Sequence, residues 1–538
     1  MDPTPNVDVF ESRRSTVYGT RGIVATSQPL AAEAGLAVLR DGGNAFDAAV
    51  ATAATLNVVE ATSTGIGGDV FALYRTADGT VGGMQSCGGA PADATIDAVQ
   101  TALDQRGLPS DEMPRVGPFA VTVPGTARGW EAILDRFGRR TLGDLLDPAI
   151  HYATEGFPVS EIVAKQWEGA EDLFSTPHAR SAYLVDGERP PRVGEMMRLP
   201  ELGSSLESIA ESGADAFYEG QIADRIAEAV QSAGGFLTTD DLASFQPTFV
   251  DPISTTYGGA EVYELPPNNQ GQIALEALNI ASEIGAGEHP YDSPERVHYF
   301  AEALKVAYRD GHYYITDPAF EPVRPLHDPA YAADRAPEIG ETALTDIPIG
   351  FPGSGGEDAD TVYLSVADAE GNVVSFINSR FKGFGSGIVP EGTGIALQNR
   401  GWSFSLDPEH PNSLEPGKRP FHTLIPGLMR EGDAWSAFGV MGGYMQPQGH
   451  LQVVSNIVDY DMPLQAALDQ PRWRYRDSGA LAVEPRFPEN QLIKLARRGH
   501  DVTVAPPTDF GGAQIVRYDP PRLSGATEPR KDGTVATF

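Results

Sequence analysis

The sequence predicts an α+β fold, and three observations carry that expectation. Helical-period segments fill much of the chain up to Arg309, punctuated by glycine and proline. Beyond residue 360 the apolar period drops to 2 and tight turns separate short runs, as in antiparallel hairpins. Many of the 59 glycines stand in pairs, which suits close backbone packing in a composition that is otherwise that of a globular protein (41% hydrophobic, 21% charged).

Taken in order, Pro29 to Asn57 reads as two helices. Leu30, Ala34, Ala37 and Val38 share one face of the first, and Gly42-Gly43 ends it. Asn44 is placed to cap the second, whose small face (Ala45, Ala48, Ala49, Thr52) permits close helix packing. Val70 to Tyr74 and Val81 to Gln85 read as strands joined by a turn at Asp78-Gly79. Helices dominate from Gly125 to Leu242, and another spans Ser293 to Arg309. Residues 337–360 have the composition of a flexible linker, with the run Gly353-Ser354-Gly355-Gly356. Val362, Leu364 and Val366 then alternate with Thr361, Tyr363 and Ser365, a turn follows at residues 368–372, and a second strand runs from Val373 to Asn378. A later strand, Trp435 to Val440, leads into Gly442-Gly443 and a helix over Pro447 to Asp459.

The charge balance excludes some partners. Asp and Glu total 74 against 39 Lys and Arg, for a net charge of −35. Such a chain repels nucleic-acid phosphates and anionic membranes. Only six of the basic residues are lysines (Lys165, Lys305, Lys382, Lys418, Lys494, Lys531). A dispersed, acidic, lysine-poor surface suits work in high salt, where self-repulsion is screened; an acidic protein from a GC-rich genome has the same composition. Cys87 is the single cysteine, so no intrachain disulfide forms. The polar stretch Met1 to Arg14 and the absence of any run of 18 apolar residues set the expectation of a cytoplasmic chain without a transmembrane helix.

Several catalytic patterns fail. No Gly-x-Ser-x-Gly elbow occurs, and Gly417-Lys418 is followed by Arg419 where a phosphate loop needs Ser or Thr. The ten histidines show no metal-ligand spacing on a helix, so neither metal nor cofactor is expected. Cys87 has no evident histidine partner and reads as a small buried residue. Thr361 at a strand start is ordinary on propensity alone. A cut between Asp360 and Thr361 changes its chemistry, because one residue then holds a hydroxyl and a free amine as nucleophile and base.

Read as a whole, the chain resembles the γ-glutamyltransferase family of N-terminal-nucleophile hydrolases. The resemblance rests on Gly42 to Ala51, Gly65-Ile66-Gly67-Gly68, Val123-Pro124-Gly125, Asp147-Pro148-Ala149-Ile150, Phe217-Tyr218-Glu219-Gly220 and Asp240-Asp241-Leu242. In the C-terminal half it rests on Ser365 to Asn372, Phe384-Gly385-Ser386-Gly387, Gly417-Lys418-Arg419-Pro420 and Gly442-Gly443. It implies a four-layer αββα sandwich and a precursor that cuts itself before Thr361, giving a large chain 1–360 and a small chain 361–538. The two chains stay together, and a dimer of such pairs is one assembly the resemblance allows. It also implies that Gly442 and Gly443 donate backbone N–H groups to the oxyanion, that Ser379 hydrogen-bonds the nucleophile, and that a small-molecule amide reacts with water or an amine acceptor.

The match departs from the γ-glutamyl pattern at the substrate's head group. The arginine that grips the α-carboxylate falls on Cys87, and the aspartate that holds the α-amine falls on Ser403. A Ser-Ser pair becomes His422-Thr423, and an asparagine near the nucleophile becomes Phe381. Gln398-Asn399-Arg400-Gly401 and Pro420 to Leu424 resemble instead a branch that includes oxamate amidohydrolase. There Arg400, with Asn399, Ser403, His422 and Thr423 around it, is placed to hold a substrate carboxylate. As residues alone, Arg400 reads equally as a surface ion pair and His422 as a satisfied core histidine. The expected activity is therefore hydrolysis of a γ-glutamyl or related amide. An oxamate-amidohydrolase-like enzyme or an acylase is the alternative, and an unprocessed, non-catalytic member is the rival from another class.

Overall fold

The computed structural model describes residues 14–345 and 361–538. Asp360 and the glycine-rich run before it lie outside the described residues. Two seven-stranded sheets, antiparallel at every pairing, stack face to face. From edge to edge one sheet contains Thr534–Thr537, Gly22–Thr26, Val362–Asp368, Val373–Ser379, Asp69–Arg75, Val81–Ser86 and Thr248–Val250. The other contains Val17–Gly19, Arg522–Thr527, Gly512–Asp519, Ala434–Met441, Gly427–Glu431, Ala260–Glu264 and Ile253–Tyr257.

The alternation of the central strand assigns each face. Val362, Leu364 and Val366 join a core with the helices Pro29–Arg40, Ala45–Val59, Thr126–Phe137 and Leu142–Glu155. Tyr363 and Ala367 point the other way, into a core shared with Leu428, Ala437, Met441 and Val516 of the second sheet. The far side of that second sheet is covered by Gly271–Glu283, Pro294–Tyr314, Met445–Val458 and Leu464–Asp469. Helix, sheet, sheet and helix are thus four layers of one αββα sandwich, as the resemblance implies.

The helix ends follow from local chemistry. Asn44 accepts N–H bonds from Phe46 and Asp47, and Asp47 returns a bond to the Asn44 N–H at 2.8 Å, a complete capping box. The helix expected to end at Arg309 continues to Tyr314, and the one expected to begin at Pro447 begins at Met445, because proline is tolerated in a first turn. The described part of the expected linker, residues 337–345, is fastened to the body. The Leu344 N–H donates to Glu302 Oε2 at 2.7 Å, and the Ala343 N–H to the Arg498 carbonyl at 2.7 Å. No helix among the described residues is long and apolar enough to cross a membrane.

The two sheets approach closely beside the Val362–Asp368 strand. A Cβ built on Gly439 would stand 2.4 Å from the Tyr363 ring, which is itself anchored by a 2.7 Å bond between its hydroxyl and Ser375 Oγ. Gly439→Ala should therefore force the sheets apart and lower stability by about 1–3 kcal/mol, read as a lower melting temperature.

Candidate active site

Pairing register sets three polar residues in a row. Val362 pairs with Asn378, so Thr361 lies opposite Ser379, and Ser379 in turn pairs with Asp69 on the next strand. By strand alternation all three side chains face the space between the sheets, at the strand ends. Thr361 Oγ1 and Ser379 Oγ are 3.1 Å apart, and Thr361 is 1% exposed. The turn behind Ser379 is tight. A Cβ on Gly68 would stand 2.3 Å from the Ser379 carbonyl oxygen, so only glycine lets that loop lie against the end of the strand Val373–Ser379.

Phe381 holds a backbone conformation that phenylalanine rarely adopts, with φ of 83°. That turn directs its N–H onto Ser379 Oγ at 2.9 Å and lays its ring under the Arg400 guanidinium, 4.2 Å from the ring centroid. The local strain therefore serves both the hydroxyl beside Thr361 and the cation beyond it.

Arg400 is 0% exposed, which removes the surface ion-pair reading. It sits in a short turn, Arg400–Ser403; its Nη1 donates to Thr423 Oγ1 at 2.8 Å, and its Nε lies 3.8 Å from Asp69 Oδ2. Among the described residues its Nε and Nη2 have no hydrogen-bond partner. Burial lowers its pKa to about 10, with Asp69 opposing the shift, so it stays cationic at neutral pH. Burial pushes the Asp69 carboxyl up to about 7, with Arg400 and the Gly125 N–H pulling it back.

His422 is satisfied on both nitrogens. Its Nδ1 accepts the Leu424 N–H at 3.2 Å, so Nε2 carries the proton and donates it to Asp69 Oδ2 at 3.1 Å. The ring stacks on Phe71, and burial holds its pKa well below the ordinary histidine value. Of the two readings the sequence leaves open, these bonds are those of a satisfied core histidine that fixes Asp69. Asn399 ties two other segments together. Its Oδ1 accepts the Lys382 N–H at 3.2 Å and its Nδ2 donates to the Arg115 carbonyl at 3.1 Å. Ser403 is buried, and its Oγ has no hydrogen-bond partner among the described residues.

Gly442 and Gly443 close the strand Ala434–Met441 with φ of 119° and 57°, and their carbonyls accept the first N–H groups of the helix Met445–Val458. Two residues that sequence reasoning missed complete the surroundings. Asp69 follows directly on the Gly65 to Gly68 run, which was the available signal. Gln270, in the turn Asn268-Asn269-Gln270, donates Nε2 to the Thr423 carbonyl at 2.8 Å and to the Gly443 carbonyl at 2.9 Å. Hydrogen bonds, an ion pair and strand register thus run unbroken from Thr361 through Ser379, Asp69, Arg400, Thr423 and Gln270 to Gly443.

Cys87 is buried near this cluster, 3.7 Å from Asn268 Nδ2. Burial pushes its thiol up to about 12, which leaves it protonated and unreactive at neutral pH. One group of potential metal ligands, not anticipated from spacing, stands elsewhere among the described residues: His298, Glu302 and His500. It is internally satisfied, since His298 Nδ1 and His500 Nε2 share a hydrogen bond at 2.8 Å and Lys305 neutralises Glu302 at 2.7 Å.

Against this geometry the chain was compared with known proteins. The Gamma-glutamyltranspeptidase family model matches residues 31–538. The glutathione hydrolase-like YwrD proenzyme of Bacillus subtilis (strain 168) is 39% identical over 535 residues, spanning 96% of this chain and 98% of that protein. The oxamate amidohydrolase proenzyme of Klebsiella pneumoniae is 35% identical over 546 residues, spanning 97% of this chain and all of its own length (100%). Among solved structures, the cephalosporin acylase from Bacillus halodurans superposes with a TM-score of 0.91 at 45% identity and covers 99% of both chains.

Proposed function

Because the chain belongs to the gamma-glutamyltranspeptidase family, we propose that it is a self-processing amidohydrolase and acyltransferase whose nucleophile is Thr361. The observation that carries this reading is the row Thr361–Ser379–Asp69, facing between the sheets, with the two hydroxyls 3.1 Å apart. In the first reaction the Thr361 hydroxyl attacks the Asp360 carbonyl and forms an ester, which water opens to leave chains 1–360 and 361–538. The freed amine, with a reference pKa of about 7.7, takes the hydroxyl proton in the next reaction. Thr361 Oγ then adds to the substrate amide carbonyl, the Gly442 and Gly443 N–H groups stabilise the oxyanion, and the leaving amine departs with the proton. Water or an acceptor amine attacks the acyl ester and restores Thr361.

The family's default acyl group is γ-glutamyl, as in glutathione. A second reading has its own support: an acyl group that bears a carboxylate but no α-ammonium. Arg400 offers two buried N–H groups without partners, which a carboxylate satisfies by a fork. Asp69, the carboxylate beside it, is already engaged by His422, by the Gly125 N–H at 3.2 Å and by Arg400. An ammonium buried here would lack a free counter-charge, and that desolvation is expensive. The test compares γ-glutamyl and glutaryl p-nitroanilides, which differ only in the α-ammonium, with oxamate alongside. N-terminal sequencing of the active protein should read from Thr361, and the glutaryl substrate should have the higher kcat/KM by roughly tenfold or more. Faster γ-glutamyl turnover would reject the ammonium-free reading, and activity residing in a single uncut chain would reject the nucleophile.

A further inference from the structure

Resting on that reading, we propose that Gln270 is a positioning residue that ties recognition of the acyl carboxylate to alignment of the oxyanion hole. Gln270 lies between the strand Ala260–Glu264 and the helix Gly271–Glu283, and it is fully buried. Its backbone is pinned first. The Gln270 N–H donates to the His422 carbonyl at 3.0 Å, and the His422 N–H donates to the Asn268 carbonyl at 2.9 Å, so the two loops pair as a short parallel bridge.

The side chain then spans two segments. Both hydrogens of its Nε2 go to carbonyls, one on Thr423 and one on Gly443, at 2.8 and 2.9 Å. Two acceptors fix the amide's orientation, because the oxygen end cannot serve either of them. Gln270 Oε1 has no hydrogen-bond partner among the described residues, so the side-chain hold comes from those two donated bonds.

Each end of this bridge leads somewhere chemical. Thr423 accepts the Arg400 Nη1 hydrogen on its own Oγ1 at 2.8 Å. Gly443 adopts a left-handed φ of 57°, with the wide torsional freedom that glycine has there. A fixed Gly443 carbonyl restrains ψ at Gly443, the rotation that separates this carbonyl from the Gly443 N–H, and so narrows the directions that N–H takes toward the oxyanion. Arg400, Thr423, Gln270 and Gly443 therefore form one continuous chain from carboxylate to oxyanion. A carboxylate drawn onto Arg400 is felt at Gly443, so it raises kcat as well as lowering KM.

The experiment uses the mature enzyme, with concentration counted as Thr361 N-termini so that incomplete processing does not distort rates. Glutaryl and valeryl p-nitroanilides are compared; they have similar acyl shapes, and only the first has a carboxylate. Gln270→Met keeps length without donors, and Gln270→Glu keeps shape with at most one donor for the two carbonyls. In both, kcat for the glutaryl substrate should fall roughly 10- to 100-fold with KM nearly unchanged, as befits a displaced oxyanion donor. The valeryl rate should fall less, so the kcat ratio of the two substrates collapses toward one. A change confined to KM, equal losses on both substrates, or no loss would overturn the proposal. Where neither variant accumulates folded, Thr423→Val carries the same comparison, since it removes only the acceptor of Arg400. A parent enzyme that ignores the glutaryl substrate, or works without Thr361, would sink the underlying functional reading instead.

Discussion

Thr361→Ala should yield one uncut chain of 538 residues, with amide turnover reduced by about 10⁴-fold or more. In the proposed mechanism the same oxygen is required twice. It attacks the backbone to create the small chain, and it attacks the substrate once the amine is free. Alanine supplies neither nucleophile nor any residual base, because its amine stays locked in a peptide bond. The fold should survive, since the strand Val362–Asp368 is held by two neighbours and by both faces of core rather than by the Thr361 hydroxyl. A denaturing gel, N-terminal sequencing and a rate measurement read the result together. An uncut parent protein would place the chain among non-catalytic members of its family, and turnover retained by the variant would break the mechanism.

Arg400→Met should lower kcat/KM for the glutaryl substrate by about 10²- to 10³-fold, or about 3–4 kcal/mol, while a neutral acyl substrate loses far less. The loss is large because Arg400 is fully buried, so the variant leaves the bound carboxylate without its counter-charge. A second signature appears in stability. Burial pushes the Asp69 carboxyl up to about 7 in the fold, from an ordinary 3.8. A raised carboxyl contributes stability below its unfolded value and loses it as pH climbs through its folded one. Removing Arg400 raises Asp69 further, so the loss deepens on the alkaline side. The gap in melting temperature between parent and variant should therefore be wider at pH 8.5 than at pH 5. A gap that is the same at both values would show that Arg400 does not hold the Asp69 charge.

The residues that sequence made legible are those whose cause is local. Asn44 announces a helix start by its own side chain, and the structure shows the cap with Asp47 answering it. The strand after Thr361 announces itself because its two faces alternate and a turn of polar residues follows. The sheet partners were harder. Gly22–Thr26 is buried along its whole length, so it reads as a plain apolar run rather than an alternation. The helix Gly271–Glu283 is buried nearly all round, Glu276 included, so no polar face marks its period. The roles of Asp69 and Gln270 were harder to read for a different reason, even with the glycine run before Asp69 as a signal. Asp69 gains its meaning from His422, 353 residues away, and Gln270 from Gly443, 173 residues away. No local pattern encodes such meetings. Burial decided the remaining cases: Arg400 on a polar loop gave no sign that it would be enclosed, and enclosure is what sets it apart from a solvated charge and supports the recognition role proposed for it.

The interleaving of strands has a consequence for the life of the molecule after a cut before Thr361. In one sheet, Gly22–Thr26 from the long piece sits between Thr534–Thr537 and Val362–Asp368 from the short one, and Asp69–Arg75 closes over Val373–Ser379. Neither fragment owns a complete sheet. Folding before scission is an intramolecular search, whereas reassembly afterwards demands that two separate polypeptides meet and thread their ladders together. The nick therefore converts an equilibrium into a ratchet. The enzyme is assembled once, as a single strand of information, and at low concentration a molecule that melts after maturation is lost rather than renewed.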